Sequence, residues 1–359
     1  MTDLLYSEVE DDLRASVRSL VNGRMPVETT LARIEAGPYD ANAWRSLAAE
    51  MGLAGLAVPE RFGGAGASLR EAGVVLEELG RAVAPVPYLA SSVVATTVLV
   101  RADAGDLLGK LGSGERIAVL AVPLAAAGVA AATVEATDGR LSGAIAGVGD
   151  GLVADLLLVP TAGGLYAVDA TAAGVTRTPV VSLDLTRPLA DVVLSDAPGQ
   201  LLVSGSAAAE AVRAGLIAGA ALLASEQLGL AEWCLQTTVE YVKTRHQFGR
   251  PIGGFQAIKH RLADVWVELA QARAVARYAA VCAATDDPDL PVAASLAQAY
   301  CSPMAVKAAE ECVQLHGGIG FTWEHPAHLY LKRAKASALA YGTADHHRQL
   351  LAGLVDLPA

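Results

Sequence analysis

Basic residues are scarce and scattered in this sequence. It has 27 Lys and Arg against 38 Asp and Glu, which gives a formal net charge of −11. Because no block of basic residues occurs, non-specific binding to nucleic acid is disfavoured, although a few local arginines still suffice for a phosphorylated ligand. Charged residues make up only 18% and hydrophobic residues 53% of the 359 positions, which argues against disorder and predicts two or three domains.

Cysteine is equally sparse, and no two cysteines have CxxC spacing. The four cysteines are therefore predicted to be reduced core residues and not zinc ligands or disulfide partners; they are Cys234, Cys282, Cys301 and Cys312. The first twenty residues lack a basic segment followed by an apolar core, so no signal peptide is predicted. Ser225 and Glu226 interrupt the longest apolar stretch, which disfavours a membrane span. We therefore expect a cytoplasmic protein without a membrane partner.

The spacing of apolar residues changes twice along the sequence, which predicts three domains. Residues 1–115 and 201–359 have apolar residues at helical spacing, whereas residues 116–200 contain short Val- and Leu-rich runs separated by turn residues. The middle segment is predicted to be a small antiparallel sandwich or barrel. The fold class expected is α+β, with a C-terminal four-helix bundle whose first helix could exceed 50 Å.

Local signals predict where several helices begin. Ser68, with Glu71 three residues later, is a capping-box pattern, and Asp40 or Asn42 is a plausible N-cap for an earlier helix. The last helix is expected at roughly residues 335 to 355.

Three motif runs occur in order along the two helical regions. They are "GLAGLAVPERFGGAGASLREAGVVLEELGRA", "YVKTRHQFGRPIGGFQAIKHRLAD" and "CVQLHGGIGFTWEHPAHLYLKRAKA". Together they resemble the acyl-CoA dehydrogenase family, and the helical–β–helical order is similar to that family's architecture. The resemblance implies α,β-dehydrogenation of an acyl-CoA thioester with FAD as hydride acceptor, in fatty acid or sterol side-chain catabolism. The glycine-rich run "GVGDG" is not a Rossmann-type dinucleotide motif, since no GxGxxG follows a predicted strand and opens a helix.

The second run carries four residues that the resemblance assigns to the cofactor. Arg245 is expected to meet the pyrophosphate of an FAD in a neighbouring subunit, where a guanidinium can form two parallel hydrogen bonds. Gln247 and Phe248 match residues that hydrogen-bond and pack on the same FAD. Gln256 matches a glutamine that contacts its adenosine half.

The third run and the C-terminus complete the cofactor-binding candidates. Gln314, Gly317 and Gly318 match a strip where the backbone approaches the cofactor, and glycines permit that approach. Thr343 belongs to a Gly-Thr pair near the C-terminus. Since the FAD of this family lies at a subunit interface, the resemblance implies a homo-oligomer or a pairing with a related acyl-CoA dehydrogenase subunit, up to a tetramer. It also implies electron transfer to an electron-transfer flavoprotein.

The catalytic carboxylate of the family is absent from both of its usual positions. Tyr341 stands before the Gly-Thr pair, and a phenol with an ordinary pKa near 10 is a poor base at neutral pH. The alternative position on the long helix falls on Gly219 and Ala220, which cannot accept a proton. Glu226 shares a helix face with Gly219 and is the remaining candidate for the base; the other interpretation is a structural Glu paired with an Arg.

The loops that cradle the flavin ring in the family are also changed. "LAVPLAAAGVAAATVE" and "AIAGVGDGLVADLLLV" stand in their places and lack the expected polar residues and Trp. Three interpretations stay open: an enzyme with its own FAD and a relocated base, a catalytically incomplete subunit that serves a partner's FAD, and a non-enzymatic scaffold. The small side chains at Gly219, Ala220 and Ala224 suggest room for a branched or polycyclic acyl group.

Overall fold

The computed structural model describes residues 4–37, 39–128 and 132–357. A helical segment is followed by two β-sheets and a second helical segment, which confirms the predicted α+β fold class. The α-helices of the first segment are α1 (Glu8–Arg24), α2 (Val27–Arg33), α3 (Ala41–Arg45), α4 (Leu69–Arg81), α5 (Thr96–Arg101) and α6 (Gly105–Gly112). Those of the second are α7 (Gly205–Thr244), α8 (Gln256–Ala284), α9 (Leu290–His316), α10 (Ala327–Ser337) and α11 (Ala344–Leu354).

The helix starts follow the predicted caps. Ser68 caps α4 through a capping box with Glu71, so both partners satisfy backbone donors at the helix start. Asp40 caps α3 by accepting hydrogen bonds from the amides of Asn42 and Ala43. A π-helical segment, Leu89–Ala95, leads directly into α5.

Between the helical segments, the described residues include eight strands in two four-stranded sheets. They are β1 (Ala118–Leu120), β2 (Val134–Thr137), β3 (Arg140–Gly149), β4 (Leu156–Pro160), β5 (Gly164–Asp169), β6 (Val175–Val180), β7 (Leu189–Pro198) and β8 (Gln200–Ser204). One sheet has the order β1-β4-β5-β8 and the other β2-β3-β7-β6. Leu157, Val168 and Val192 are among the buried residues of the shared core.

The expectation of a purely antiparallel β segment is wrong at one pairing. Strands β1 and β4 are parallel, with Ala118 opposite Leu156. The chain leaves the first sheet after β1, forms β2 and β3 in the second sheet, and returns to place β4 beside β1. Such a crossover allows two strands of one sheet to run in the same direction, which a direct hairpin does not.

Helix α7 forms the centre of the helical part of the molecule. It is long and apolar enough to cross a membrane, but 67% of its most apolar window is buried inside the protein. Its crossing with α4 is close because Gly80 faces the backbone of Glu226 and Gly229 faces the backbone of Glu77. A side chain at either glycine would overlap the opposite carbonyl group, so the crossing distance depends on these two residues.

The single C-terminal helix expected at roughly 335 to 355 is wrong. The structure divides this region into α10 and α11, with a turn between them. Tyr341 and Gly342 have φ values of +55° and +105°, and neither is compatible with a right-handed helix. Thr343 then caps α11, since its side chain accepts a hydrogen bond from the amide of His346.

We predict that Gly229→Ala destabilises the protein, because its methyl group would overlap the carbonyl oxygen of Glu77. Overpacking of this kind costs about 3 kcal/mol or more, measurable as a lowered Tm by differential scanning calorimetry. Gly23→Ala in α1 is the matched control, since no atom lies within 4 Å of the added methyl group. There the Tm should rise slightly, because Ala in a helix adds about 0.5–1 kcal/mol to the free energy of unfolding relative to Gly. Equal effects of the two substitutions would contradict the close crossing.

Candidate functional site

Tyr341 fills the place where the sequence predicts a catalytic base. Its ring packs directly on Gly219, and a Cβ atom added to that glycine would lie 3.0 Å from two ring carbons. Tyr341 is only 7% exposed. Burial raises the pKa of its phenol above the ordinary value, so the side chain is protonated at neutral pH. The two positions that the resemblance matches to the base therefore pack against each other, and neither can take up a proton.

The turn at Tyr341 is joined to the loop that follows β1. The amide of Tyr341 donates a 2.8 Å hydrogen bond to the carbonyl oxygen of Leu124. A Cβ atom on the next residue, Gly342, would lie 2.9 Å from the Cβ atom of Ala127. The ring nitrogen Nε2 of His347 lies 2.9 Å from the Tyr341 carbonyl oxygen and can donate to it. These contacts hold the C-terminal turn closed against the β segment.

The packing of the segment Leu89–Ala95 and of α5 against α7 also leaves little space beside Tyr341. Val94 and Val98 pack onto α7 at Gly215 and Gly219, where an added Cβ atom would overlap them. A cavity of about 20 Å³ remains between these helices, β1 and Tyr341. This volume holds about one water molecule, not an acyl chain.

A buried carboxylate lines this small cavity. Asp150 lies in a turn after β3, with φ of +56°, and is 5% exposed. Burial raises the pKa of Asp150 to about 6, partly offset by the guanidinium groups of Arg187 and Arg333. The nearby carboxylates of Glu226 and Asp184 raise this pKa further.

Glu226 is held by two buried arginines. Its carboxylate accepts a 2.5 Å hydrogen bond from Nη2 of Arg187 and a 3.1 Å bond from Nη1 of Arg333. Arg333 also lies 2.7 Å from a carboxylate oxygen of Asp184, and it donates two hydrogen bonds to the hydroxyl of Thr186. Each carboxylate oxygen of Glu226 therefore has an arginine partner, and the residue is only 4% exposed. The geometry favours the structural interpretation of Glu226 over the catalytic one.

The predicted pyrophosphate residues lie at the far end of α7, on an exposed arm. The arm is a short hairpin of β9 (His246–Gln247) and β10 (Arg250–Pro251). Arg245, at its base, is exposed and makes no ion pair with the residues that the structure describes. Phe248 at the tip is 89% exposed. Its φ of +52° is an unfavourable conformation for an aromatic residue.

The glycine strip lies beside the base of this arm. The ring of His316 stacks on Tyr241 of α7, with centroids 4.4 Å apart, and Gly317 and Gly318 follow it directly. Gln314, on the last turn of α9, is exposed, as is Gln256 at the start of α8. The structure therefore brings together seven of the eight cofactor-binding candidates, and it leaves out Thr343.

Thr343 and the arm are too far apart to share one cofactor. Thr343 adjoins the Tyr341 turn, which packs on Gly219, whereas Arg245 follows the last residue of α7. The helix between Gly219 and Arg245 is about 39 Å long at 1.5 Å per residue. The two groups of cofactor-binding candidates therefore lie far apart along the molecule.

The two groups differ in their fit to FAD. The exposed guanidinium of Arg245 and the open glycine strip suit a pyrophosphate. The loop around Leu124 is joined to the Tyr341 turn, and the cavity that remains beside Tyr341 is only about 20 Å³. The exposed arm and glycine strip thus suit a pyrophosphate, whereas the cavity beside Tyr341 is too small for a flavin ring.

The sequence interpretation missed the arginines that pair with Glu226. Arg187 lies in "LDLTRPLAD" and Arg333 in "LYLKRAKAS", and in neither run does the spacing show that the guanidinium is buried. Asp184 and Asp150 were missed for the same reason. The available signal was that Glu226 lies in an apolar helix, because a buried carboxylate normally has a basic partner.

Comparison with known proteins identifies the family. A model described as the acyl-CoA dehydrogenase N-terminal domain matches residues 7–103, and one described as the C-terminal domain matches residues 209–354. Acyl-CoA dehydrogenase IpdE2 of Mycobacterium tuberculosis is 39% identical over 331 residues, which cover 91% of each protein. The chain belongs to the acyl-CoA dehydrogenase family, whose members are FAD-dependent oxidoreductases.

Solved structures agree with this assignment. A chain of the ChsE4–ChsE5 complex from Mycobacterium tuberculosis has a TM-score of 0.87 at 30% identity, with full coverage of both chains. A chain of the steroid acyl-CoA dehydrogenase Tcur3481–Tcur3483 has a TM-score of 0.85 at 32% identity, covering 97% and 98%. Butyryl-CoA dehydrogenase of Megasphaera elsdenii, at 22% identity and a TM-score of 0.88, shares the fold.

We predict that Asp150→Asn stabilises the protein at neutral pH but not in acid. Because the pKa of Asp150 is raised to about 6 in the fold, its stability contribution is complete below pH 4 and is lost as the pH rises through 6. The gain in the variant should therefore grow between pH 4 and 7, to about 3 kcal/mol at most. Paired Tm measurements across this range test the effect.

Asp138→Asn is the matched control for this titration. Asp138 also has a left-handed backbone, with φ of +50°, but it is exposed in the β2–β3 turn. Because this side chain is exposed, the substitution should change the stability by no more than about 0.5 kcal/mol. A flat profile for Asp150→Asn would show that its carboxylate is not buried as described.

Proposed function

We propose that this chain works in a hetero-oligomeric acyl-CoA dehydrogenase as the subunit that completes a partner's FAD site. The observation that carries the proposal is the separation of its two cofactor-side groups along α7. The arm end of α7, with Arg245 and Phe248, is exposed. The other end, where Tyr341 packs on Gly219 and where a flavin ring would be expected, is closed; we call it the ring end. A related, complete subunit holds the flavin ring and supplies the catalytic base.

The arm has features that a partner explains. The left-handed conformation of Phe248 costs about 1–2 kcal/mol, although its ring is 89% exposed. Phe255 meets the ring of Phe248 edge-on at 6.0 Å, and the guanidinium of Arg250 lies 4.1 Å from the Phe255 ring centroid. These contacts orient the tip outward, toward the place where a neighbour's cofactor is expected.

The reaction proposed is the α,β-dehydrogenation of an acyl-CoA thioester. FAD, when bound, accepts the β-hydrogen as hydride. This chain binds and orients the pyrophosphate through Arg245, Gln247 and the backbone at Gly317 and Gly318. The α-proton is removed by a carboxylate of the partner, and Glu226 serves as an internal counter-ion for Arg187 and Arg333.

Relatives suggest the substrate and the assembly. One similar structure is described as a steroid acyl-CoA dehydrogenase, and another is a complex of two different subunits. By extension, we assign this chain to the dehydrogenation of a polycyclic, steroid-derived acyl-CoA. Its redox partner is then an electron-transfer flavoprotein, and its location the cytoplasm.

We predict that the chain purified alone is colourless. Co-expression with acyl-CoA dehydrogenases of the same genome that carry Glu before the C-terminal Gly-Thr pair should yield a yellow complex. Absorbance at the flavin band, divided by protein, should give one FAD per pair of unlike chains. A yellow chain that bleaches alone with acyl-CoA would instead establish an enzyme with its own FAD and a relocated base.

Variants of the arm make this experiment specific. In the complex, Arg245→Ala should weaken FAD retention about tenfold or more, since a charge-assisted pair is worth about 1.5–3 kcal/mol. Lys243→Ala, two residues earlier and equally exposed, is the control and should retain FAD. Full retention by both variants would rule out the pyrophosphate role.

We predict that Glu226→Gln lowers stability without slowing the chemistry. Removing one charge leaves two buried arginines with less compensation, at a cost of about 3 kcal/mol. The Tm of the complex should fall, while turnover per bound FAD stays within about twofold of the wild type. Glu210→Gln, in an exposed pair with Arg213 on the same helix, should change neither. Lost turnover at full FAD content would restore Glu226 as the base.

A further inference from the structure

His316 is the last residue of α9 and is only 3% exposed, although the exposed backbone of Gly317 and Gly318 follows it directly. Its ring nitrogen Nδ1 lies 2.7 Å from the carbonyl oxygen of Cys312, one turn earlier on the helix. Because a carbonyl oxygen can only accept, Nδ1 carries the hydrogen and donates it. This hydrogen bond fixes the orientation of the imidazole ring.

The fixed ring contacts two further aromatic side chains. It stacks on Tyr241 of α7, with centroids 4.4 Å apart and ring planes 27° apart. It also meets the ring of His325, which precedes α10, with centroids 4.3 Å apart. Aromatic rings at these separations attract each other. The imidazole of His316 therefore joins the end of α9 to α7 and to the segment that follows the glycine strip.

Tyr241 extends this contact to the arm. Its carbonyl oxygen accepts a 2.9 Å hydrogen bond from the amide of Arg245, which ends α7. The far end of the strip packs back on α9, since a Cβ atom on Gly320 would lie 2.7 Å from the carbonyl oxygen of Val313 and 3.2 Å from the Cβ atom of His316. The glycine strip and the base of the arm are thus connected through one imidazole and one tyrosine.

We propose that His316 is a positioning residue, which holds the glycine strip and Arg245 at the separation that a single FAD pyrophosphate requires. The inference rests on the proposed function. An anion gains the contacts of both groups only when both are in place, and groups that are ordered beforehand lose less freedom on binding. His316 is buried and acts through Tyr241 and the backbone of Gly317.

Hydrogen exchange of the isolated chain tests this link without a cofactor. The reporters are peptides covering residues 245–252 and 317–322, where the amides of Arg245, Ile252 and Thr322 donate backbone hydrogen bonds. In His316→Ala both peptides should exchange at least tenfold faster than in the wild type. His316→Phe retains an aromatic ring at this place and should restore most of the protection. Unchanged exchange in His316→Ala would overturn the inference.

FAD binding by the complex tests the consequence. In a titration of the FAD-depleted complex followed by flavin fluorescence, His316→Ala should raise the Kd for FAD at least tenfold. His316→Phe should raise it less than threefold. Turnover of His316→Ala should return to the wild-type value at saturating FAD, since the substitution leaves the chemistry to the partner unchanged. A wild-type Kd in His316→Ala would contradict the positioning role.

Ser302→Ala is the matched control, because Ser302 is also buried on α9 and forms hydrogen bonds with Gln227 and Gln298. It lies about 21 Å from His316 along the helix. It should lower the Tm of the complex and leave the Kd for FAD unchanged. An equal rise of the Kd in both variants would show that His316 only stabilises the fold. A wild-type complex that binds no FAD would overturn the proposed function, while hydrogen exchange would still report the link between strip and arm.

Discussion

The ion cluster centred on Glu226 is the interaction on which the relation between the β segment and the helical bundle depends. Glu226 belongs to α7, Arg333 to α10, and Arg187 to the loop before β7. Three elements from both halves of the molecule thus meet at one carboxylate. Ion pairs in such a position contribute little net stability as a group, but removing one member leaves an uncompensated buried charge. The cluster therefore specifies which surfaces of the two halves face each other.

The cluster also explains why the C-terminal turn is closed. Arg187 and Arg333 fix the β segment against α10, and the Tyr341 turn follows α10 directly. With these two surfaces held together, the loop around Leu124 lies within hydrogen-bonding distance of the turn. Tyr341 then fills the remaining space over Gly219. The closed ring end is a consequence of the cluster and of one aromatic side chain, and it needs no large rearrangement of the fold.

Most of the helical fold could be predicted from the sequence, because its signals are local. The capping residues Ser68 and Asp40, the long proline-free stretch and the arm motif each act over a few residues. The parallel pairing of β1 with β4 could not be predicted, since it depends on a crossover through the second sheet. The break at Tyr341 was hidden because nothing in its neighbourhood requires a left-handed tyrosine.

The site was predictable in part for the same reason. The arm and the glycine strip are contiguous motifs, and the structure places them together at one end of α7. The environment of Glu226 depends on residues 39 and 107 positions away in sequence. Whether such a carboxylate is a base or a counter-ion is decided by these distant partners. Hydropathy and helical spacing contain no information about them.

The apolar loops at the ring end follow physically from its closure. A polar side chain buried in this loop without a partner would cost about 1–3 kcal/mol, and the half-buried Leu124 avoids that cost. The arm is under the opposite constraint, because Arg245 is exposed without an ion pair among the described residues and the strained Phe248 has its ring largely exposed. A chain whose Tyr341 turn is packed internally and whose arm is exposed is consistent with the proposed single cofactor per pair of unlike subunits.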